Sequence, residues 1–178
     1  LSGKIHISGS KNSAVSLIPA ALLSDHVVIE KVPKISDVVS LKEILEYLNV
    51  NLKFDDDKLY INTVDMVNKD ITSEYSTKLR ASYYFMGSLL GLFGKVDIAS
   101  PGGCVIGSRP IDFHLKSFQK MGAKVSESNN EFQINSNGLK STEVFFDVPS
   151  VGATINVMIA AVRAKGTTII DNAAKEPE

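Results

Sequence analysis

The stretch KVDIASPGGCVIGSRPIDFHLKSFQKMGAKVSESNNEFQIN, residues 95–135, contains one nearly complete unit of strand and helix signals. Residues 95–99 alternate like a strand, and a glycine-rich loop follows them. Beyond the loop, apolar residues at helical spacing predict a helix that Asp112 caps and that ends near Gly122, which suits a left-handed position. Short strands near 124–126 and 131–135 complete the unit.

The same order of elements precedes this stretch. The first pass predicts strands at 4–8, 27–30, 51–54 and 59–62, and helices at 13–23 and 37–48. Asn12 and Asp37 are the predicted N-caps of the two helices, and Pro19 should interrupt the first one. The second pass adds a helix at about 76–93.

A third pass follows, with a strand at 143–147, a helix after Ser150 and a strand at 167–171. Asn62 and Asn135 end equivalent strands 73 positions apart, and Ile98 and Ile170 are 72 positions apart. The period is therefore about 70 residues, which is typical of stacked supersecondary units with one core. We predict one α/β domain over 1–178, built from β-α-β-α-β-β repeats at about 3–64, 75–136 and 143–178, the last incomplete.

Composition excludes several classes of protein. The 19 basic and 20 acidic residues give a formal net charge of -1, which indicates no general affinity for nucleic acid or membrane surfaces. No apolar run approaches the roughly 18 residues of a spanning helix. A single cysteine excludes an intramolecular disulfide and fits a reducing, cytoplasmic compartment. Because the chain starts at Leu1 and stops within the third repeat, we expect a longer parent protein.

The single cysteine, Cys104, lies in the glycine-rich loop. A buried cysteine is most often a small apolar residue, but Gly102, Gly103 and Gly107 favour a loop that can close over a ligand. Arg109 lies five positions later, and a nearby cation lowers the pKa of a thiol. These neighbours favour a functional thiol over a core cysteine.

Other candidates have ordinary readings beside functional ones. The turn at 9–12 could face an anion, yet solvated lysines beside turns are common. Arg80, on an apolar helix, could bind a ligand or extend to solvent. Ser150 is explained as an N-cap, and His114 as a packing residue. The other histidines, His6 and His26, lack ligand spacing, so we predict no metal site and no cofactor.

Five motifs in order carry a resemblance to a known family: ISGSKN, LRAS, PGGCVIGSRPIDFH, VGATINVMIAA and GTTIIDNAAKEPE. Together they resemble the UDP-N-acetylglucosamine enolpyruvyl transferases, of which this chain resembles only the first part. The resemblance implies an inside-out α/β barrel with an active site between two domains, the second supplied by the rest of the same enzyme. It also implies the first committed step of peptidoglycan synthesis, with phosphoenolpyruvate and UDP-N-acetylglucosamine as substrates.

The resemblance also implies roles for individual residues. Lys11 and Asn12 would contact phosphoenolpyruvate. Cys104 would donate a proton and form a covalent adduct with phosphoenolpyruvate, and it would be the residue that fosfomycin alkylates. Arg109 would meet the charge of phosphoenolpyruvate and border the sugar. Arg80 would bind the nucleotide sugar.

Two segments would hold the rest of the nucleotide. Pro110, Ile111, Asp112 and Phe113 match the lining of the uridine pocket, and Ser150, Val151 and Gly152 match a turn that holds the diphosphate or uridine. Val148 and Pro149 belong to the same turn, but some relatives carry lysine and valine there, so backbone contacts are expected at these two positions.

The implied reaction transfers the enolpyruvyl group to the 3-hydroxyl of the UDP-sugar and releases phosphate. The family's catalytic base lies in its second half, so this chain alone should be inactive. Two alternatives remain: a half-length protein that binds UDP-sugar without turnover, and a shikimate-pathway enolpyruvyl transferase. The shikimate-pathway enzymes share the repeats and a Gly-Ser-Lys turn but lack the cysteine loop.

Overall fold

A computed structural model describes residues 2–101 and 111–177 of the chain. The chain divides into two compact units, of which the first ends at Met66 and the second spans Val67–Pro177. Within these described residues, no helix combines the length and apolarity that crossing a bilayer requires.

The first unit is a layer of two helices beside a three-stranded sheet. Its elements are α1 (Lys11–Ala20, continued by a 3-10 turn at Ala21–Leu23), β1 (His26–Ile29), α2 (Ser36–Tyr47), β2 (Asn51–Asp55) and β3 (Lys58–Asn62). The sheet order is β1-β3-β2 and both pairs are antiparallel. Ile18 of α1, Leu41 and Leu45 of α2 and Leu59 of β3 are fully buried in its core.

The second unit repeats this arrangement and adds the start of another. Its elements are α3 (Ser73–Ser76), a 3-10 turn (Arg80–Tyr83), α4 (Tyr84–Phe93), β4 (Lys95–Ala99), α5 (Asp112–Lys120), β5 (Lys124–Ser128), β6 (Glu131–Asn135), β7 (Glu143–Phe145), α6 (Val151–Ala161) and β8 (Ile169–Asp171). The sheet order β4-β6-β5 matches that of the first unit, and β7 pairs with β8 in parallel. The described strands therefore form three open sheets.

Backbone conformation confirms the internal repeat. Asn49, after α2, and Gly122, after α5, are 73 positions apart and both have positive φ, 63° and 93°. The hairpin turns contain Asp56 and Asn129, again 73 apart, each with φ of 52°. Positive φ is strained for most residues and is tolerated best by glycine, asparagine and aspartate. The residue types at these positions therefore fix the same chain reversals in both repeats.

The predicted strand at residues 4–8 is wrong. No strand forms there, and the side chains of Ile5 and Ile7 are 87% and 93% exposed. Alternation alone does not make a strand, because its backbone groups need a partner edge. The corresponding position of the second repeat is a single parallel bridge between Ile71 and Ile98, and only the third repeat pairs a full strand there.

Three predicted helix starts are shifted by one or two residues. The N-caps are Ser10, Ile35 and Ile111, so Asn12, Asp37 and Asp112 lie inside the first turns. Ser10 has the better position because its hydroxyl accepts the Ser13 N–H at 3.3 Å. Carboxylates still stabilise the first turns at 37 and 112 through the helix dipole.

The single helix predicted at 76–93 is also wrong, because it is three pieces. Residues 77–79 belong to no helix: α3 ends at Ser76, Thr77 is its C-cap, and Leu79 is extended with φ of -145° before the 3-10 turn. Ser82 anchors this break, since its buried hydroxyl donates to the Ser76 carbonyl at 3.1 Å. The break places Arg80 on a tight turn instead of in the middle of a helix.

Candidate functional site

The ring of Tyr83 is the centre of the candidate site in the second unit. Tyr83 ends the 3-10 turn that begins at Arg80, and both side chains are half-buried. The guanidinium carbon of Arg80 lies 5.8 Å from the centroid of the Tyr83 ring. This is a cation–π distance, so the tyrosine face helps to orient the arginine.

The first turn of α6 lies against the hydroxyl end of the same ring. Ser150 caps α6, as predicted, with its hydroxyl accepting the Ala153 N–H at 3.3 Å. A methyl group at Gly152 would come within 2.6 Å of the Tyr83 hydroxyl oxygen. Only glycine at 152 therefore allows the helix start to approach the tyrosine so closely.

The first turn of α5 lies on another side of the ring. His114, 4% exposed, packs edge-on against Tyr83 with ring centroids 4.7 Å apart. Burial, assisted by the nearby positive charge of Arg80, lowers the pKa of His114 from 6.5 to about 3. The imidazole is therefore neutral at physiological pH, and it packs as predicted.

Phe113 connects the two nucleotide segments expected from the sequence. Its ring meets that of Phe146 edge-on, with centroids 5.9 Å apart, and Phe146 is fully buried just before residues 148–152. The segments at 111–113 and 150–152 thus belong to one packed cluster, although they are almost 40 positions apart in the chain.

This arrangement favours an anion. The first turns of α5 and α6 both lie beside Tyr83, and each presents the positive end of a helix dipole there. Arg80 adds a full positive charge next to the same ring. Two helix starts and an arginine are suited to a phosphate or diphosphate group.

The other predicted residues of this segment differ in exposure. Asp112, Val148 and Pro149 are exposed, Val151 is half-buried and Ile111 is buried. Cys104, Arg109 and Pro110 lie outside the described residues. In the part of the chain that is described, no group of three histidine, cysteine or carboxylate side chains has metal-binding geometry.

The first unit holds the predicted phosphoenolpyruvate turn. Lys11 begins α1, and its ammonium group lies 2.6 Å from a carboxylate oxygen of Asp37, in the first turn of α2. Asn12 is exposed. A methyl group at Gly9 would overlap the carbonyl oxygen of Lys31, so this turn needs glycine where the two backbone segments meet.

Sequence reasoning missed Tyr83 and Asn156. Asn156 is fully buried on α6 and touches Tyr83, Gly87 and His114 by hydrogen bonds. A signal for Asn156 was present, because an amide side chain stands between Ile155 and Val157 in a helix that is largely apolar. Buried polar side chains need partners, so its position pointed to a specific interaction.

Comparisons with known proteins identify the family of the chain. The EPSP synthase (3-phosphoshikimate 1-carboxyvinyltransferase) family matches residues 1–178. A UDP-N-acetylglucosamine 1-carboxyvinyltransferase 2 from Listeria monocytogenes serovar 1/2a is 51% identical over 100% of this chain and 42% of that protein. The protein of the same name from Bacillus subtilis strain 168 is 46% identical, with the same coverage.

Solved structures show the same fold. The enolpyruvyl transferase NikO from Streptomyces tendae superposes with a TM-score of 0.82 at 18% identity, over 96% of this chain and 40% of that one. An EPSP synthase from Acinetobacter baumannii gives 0.69 at 16% identity, over 99% and 40%. The chain spans less than half the length of all these relatives. It belongs to the EPSP synthase (3-phosphoshikimate 1-carboxyvinyltransferase) family and has the α/β fold of enolpyruvyl transferases.

Proposed function

We propose that the protein containing this chain transfers the enolpyruvyl group of phosphoenolpyruvate to the 3-hydroxyl of UDP-N-acetylglucosamine and releases phosphate. The observation that carries the proposal is the meeting of Arg80 and two helix starts at the ring of Tyr83, where a nucleotide diphosphate has complementary charge. The named relatives at 46–51% identity support this acceptor over shikimate 3-phosphate. The reaction would take place in the cytoplasm, as a step of peptidoglycan synthesis.

The chemistry is an addition followed by an elimination. A proton adds to the methylene carbon of phosphoenolpyruvate, and the sugar hydroxyl, losing its own proton, attacks the adjacent carbon to give a tetrahedral ketal. Loss of a methyl proton and of phosphate then restores the double bond. Lys11 and Arg109 would neutralise the phosphate and carboxylate charges, with Asn12 beside them, and Cys104 would supply the first proton.

The pair between Lys11 and Asp37 fits this role for Lys11. The lysine is held at a helix N-terminus with its charge balanced by Asp37 when no substrate is bound. An incoming phosphate would compete with a carboxylate that is already in place, and the amide groups at the start of α1 would assist it. The same turn therefore supplies both the positive charge of Lys11 and the dipoles of the backbone amides at the start of α1.

The decisive test measures phosphate release from phosphoenolpyruvate by the full-length protein. We expect release only when UDP-N-acetylglucosamine is present, and Arg80→Ala should weaken UDP-sugar binding by about 10- to 100-fold, the usual loss of charge-assisted hydrogen bonds. Arg163→Ala is the matched control, because Arg163 is exposed just beyond the opposite end of α6 and should leave binding unchanged.

Three outcomes of this test count against the proposal. Release that depends on shikimate 3-phosphate would assign the protein to the other branch of the family. Binding of UDP-sugar without any release would indicate a binding protein. Equal affinity in the Arg80 and Arg163 variants would remove Arg80 from the site.

Cys104 provides a second test. If Cys104 acts as an acid, Cys104→Asp should retain appreciable turnover, since a carboxyl in a closed, partly dry site can have its pKa raised enough to donate a proton. Cys104→Ser should be much less active, because a hydroxyl is too weak an acid near neutral pH. The aspartate variant should also resist fosfomycin, since a carboxylate is a poorer nucleophile than a thiolate.

Phosphate release by both variants, with and without the epoxide, checks these expectations. A serine variant more active than the aspartate variant would rule out the acid role. Inactivation of the aspartate variant by fosfomycin would place the alkylated residue elsewhere.

A further inference from the structure

Asn156 is a buried amide at the junction of three helical segments. It lies in the middle of α6, is 0% exposed, and its side chain makes three hydrogen bonds to other elements. Its Oδ1 accepts the backbone N–H of Gly87 at 2.8 Å, and its Nδ2 donates to the Tyr83 carbonyl at 2.8 Å. The same Nδ2 lies 3.0 Å from Nδ1 of His114.

The backbone partners determine which way the amide faces. An N–H group can only donate and a carbonyl can only accept, so Oδ1 must face Gly87 and Nδ2 must face Tyr83. Since Nδ2 is a donor, Nδ1 of His114 must accept. The proton of the neutral imidazole is therefore on Nε2, and Asn156 selects this tautomer.

These hydrogen bonds connect Asn156 to the candidate site around Tyr83, although Asn156 is not one of the groups that would hold the ligand. The Tyr83 carbonyl fixes the end of the turn that begins at Arg80, and the His114 ring fixes the first turn of α5. Both groups meet at the Tyr83 ring, which orients Arg80 on its face and contacts the start of α6. One amide thus sets the spacing of the three groups that would hold the diphosphate.

We propose that Asn156 is a positioning residue for nucleotide-sugar binding: through the Tyr83 carbonyl and Nδ1 of His114, it holds Arg80 and the starts of α5 and α6 in the geometry that UDP-N-acetylglucosamine requires. The inference rests on the proposed function and adds to it the residue that preorganises the site. Asn156 acts before the ligand arrives, so its loss should reduce affinity and leave the chemical step of bound substrates largely unaffected.

The experiment uses two pairs of variants in the full-length protein. Asn156→Asp keeps the acceptor for Gly87 but removes the donor, whereas His114→Leu removes the acceptor of that donor. His114→Asn is the conservative counterpart, because its amide oxygen occupies nearly the same position as Nδ1. Val96→Ala, in the buried strand β4, is the control for lost stability alone.

Two measurements distinguish a positioning role from a loss of stability alone. Calorimetry gives the affinity for UDP-N-acetylglucosamine, and steady-state kinetics give KM and kcat for both substrates. We expect Asn156→Asp and His114→Leu to weaken UDP-sugar binding and raise its KM by about tenfold, with kcat and the KM for phosphoenolpyruvate nearly unchanged. His114→Asn and Val96→Ala should bind as the wild type does. The ¹⁵N shifts of the His114 ring should report the Nε2–H tautomer in the wild type and its loss in Asn156→Asp.

Each contrary result has one meaning. A wild type that binds UDP-sugar while His114→Leu or Asn156→Asp binds equally well would overturn the positioning role and leave the proposed function intact. His114→Asn as weak as His114→Leu would also overturn it, as would an Nδ1–H tautomer. A wild type that fails to bind UDP-sugar would overturn the proposed function, and this inference with it. If Asn156→Asp does not fold, the His114 pair decides the question.

Discussion

Alanine at position 87 should destabilise the second unit by about 2–4 kcal/mol, although alanine is the better helix former. A methyl group at Gly87 would lie 2.5 Å from the Asn156 Oδ1 and 2.6 Å from the Asn156 carbonyl oxygen. Both contacts are impossible without movement, so α4 and α6 must separate or the amide must leave its place. In either case the buried Gly87 N–H loses its acceptor.

Gly91→Ala is the matched control, one turn further along α4. A methyl group there would lie 3.4 Å from the Cβ and Cγ of Arg163 and 3.7 Å from the Ala160 carbonyl oxygen, and none of these contacts is a clash. Without a clash, the gain in helix propensity should leave stability equal or higher by up to about 1 kcal/mol. Urea unfolding, with hydrogen exchange of the α4 and α6 amides, compares the two variants. Equal stability of both would show that the close approach at Gly87 carries no energetic weight.

Acidification should destabilise the fold through His114. Its folded pKa is lowered to about 3 by burial, assisted by Arg80, while the unfolded chain takes up the proton near 6.5. Between these values the unfolded state binds more protons, so stability is complete above pH 6.5 and falls as the pH decreases towards 3. The slope is about 1.4 kcal/mol per pH unit, which amounts to several kcal/mol over the window.

The measurement follows the free energy of unfolding from pH 7 to 5, above the range in which carboxylates titrate. His114→Asn removes the titrating group and should flatten the dependence. His26→Asn, at an exposed position of β1, should leave the slope unchanged. A wild type as flat as His114→Asn would mean that the folded chain accommodates a charged imidazole at 114.

The internal repeat was predictable because short stretches of sequence determine it, above all the residues that end its helices. Asn49 and Gly122 end equivalent helices with positive φ, and residue types that tolerate this conformation are few. The absence of a strand at 4–8 was not predictable, because strand formation depends on a partner edge and not on the alternation of Ile5 and Ile7 alone. Helix starts were inexact because Ser10 and Asn12 are both good caps, and only geometry chooses between them.

The site was predictable in part. Arg80 and the segments at 111–113 and 150–152 came from motif resemblance, and the structure brings these three into one cluster around Tyr83. The contacts of Asn156 depend on the packing of α4 against α6, and no pattern within a short stretch of sequence predicts which helices pack together. His114 was assigned to packing correctly, but its tautomer follows only from the backbone groups that orient Asn156.

The sheet order gives each repeat an order of assembly. In the first unit β2 and β3 are joined by a two-residue turn, with Asp55 opposite Lys58, so this hairpin closes a very short loop and can form within microseconds. β1 must wait for that edge, because Ile29 pairs with Leu59 across thirty positions that include α2. We expect the hairpin to nucleate each sheet and the docking of the first strand to limit the folding rate of each repeat.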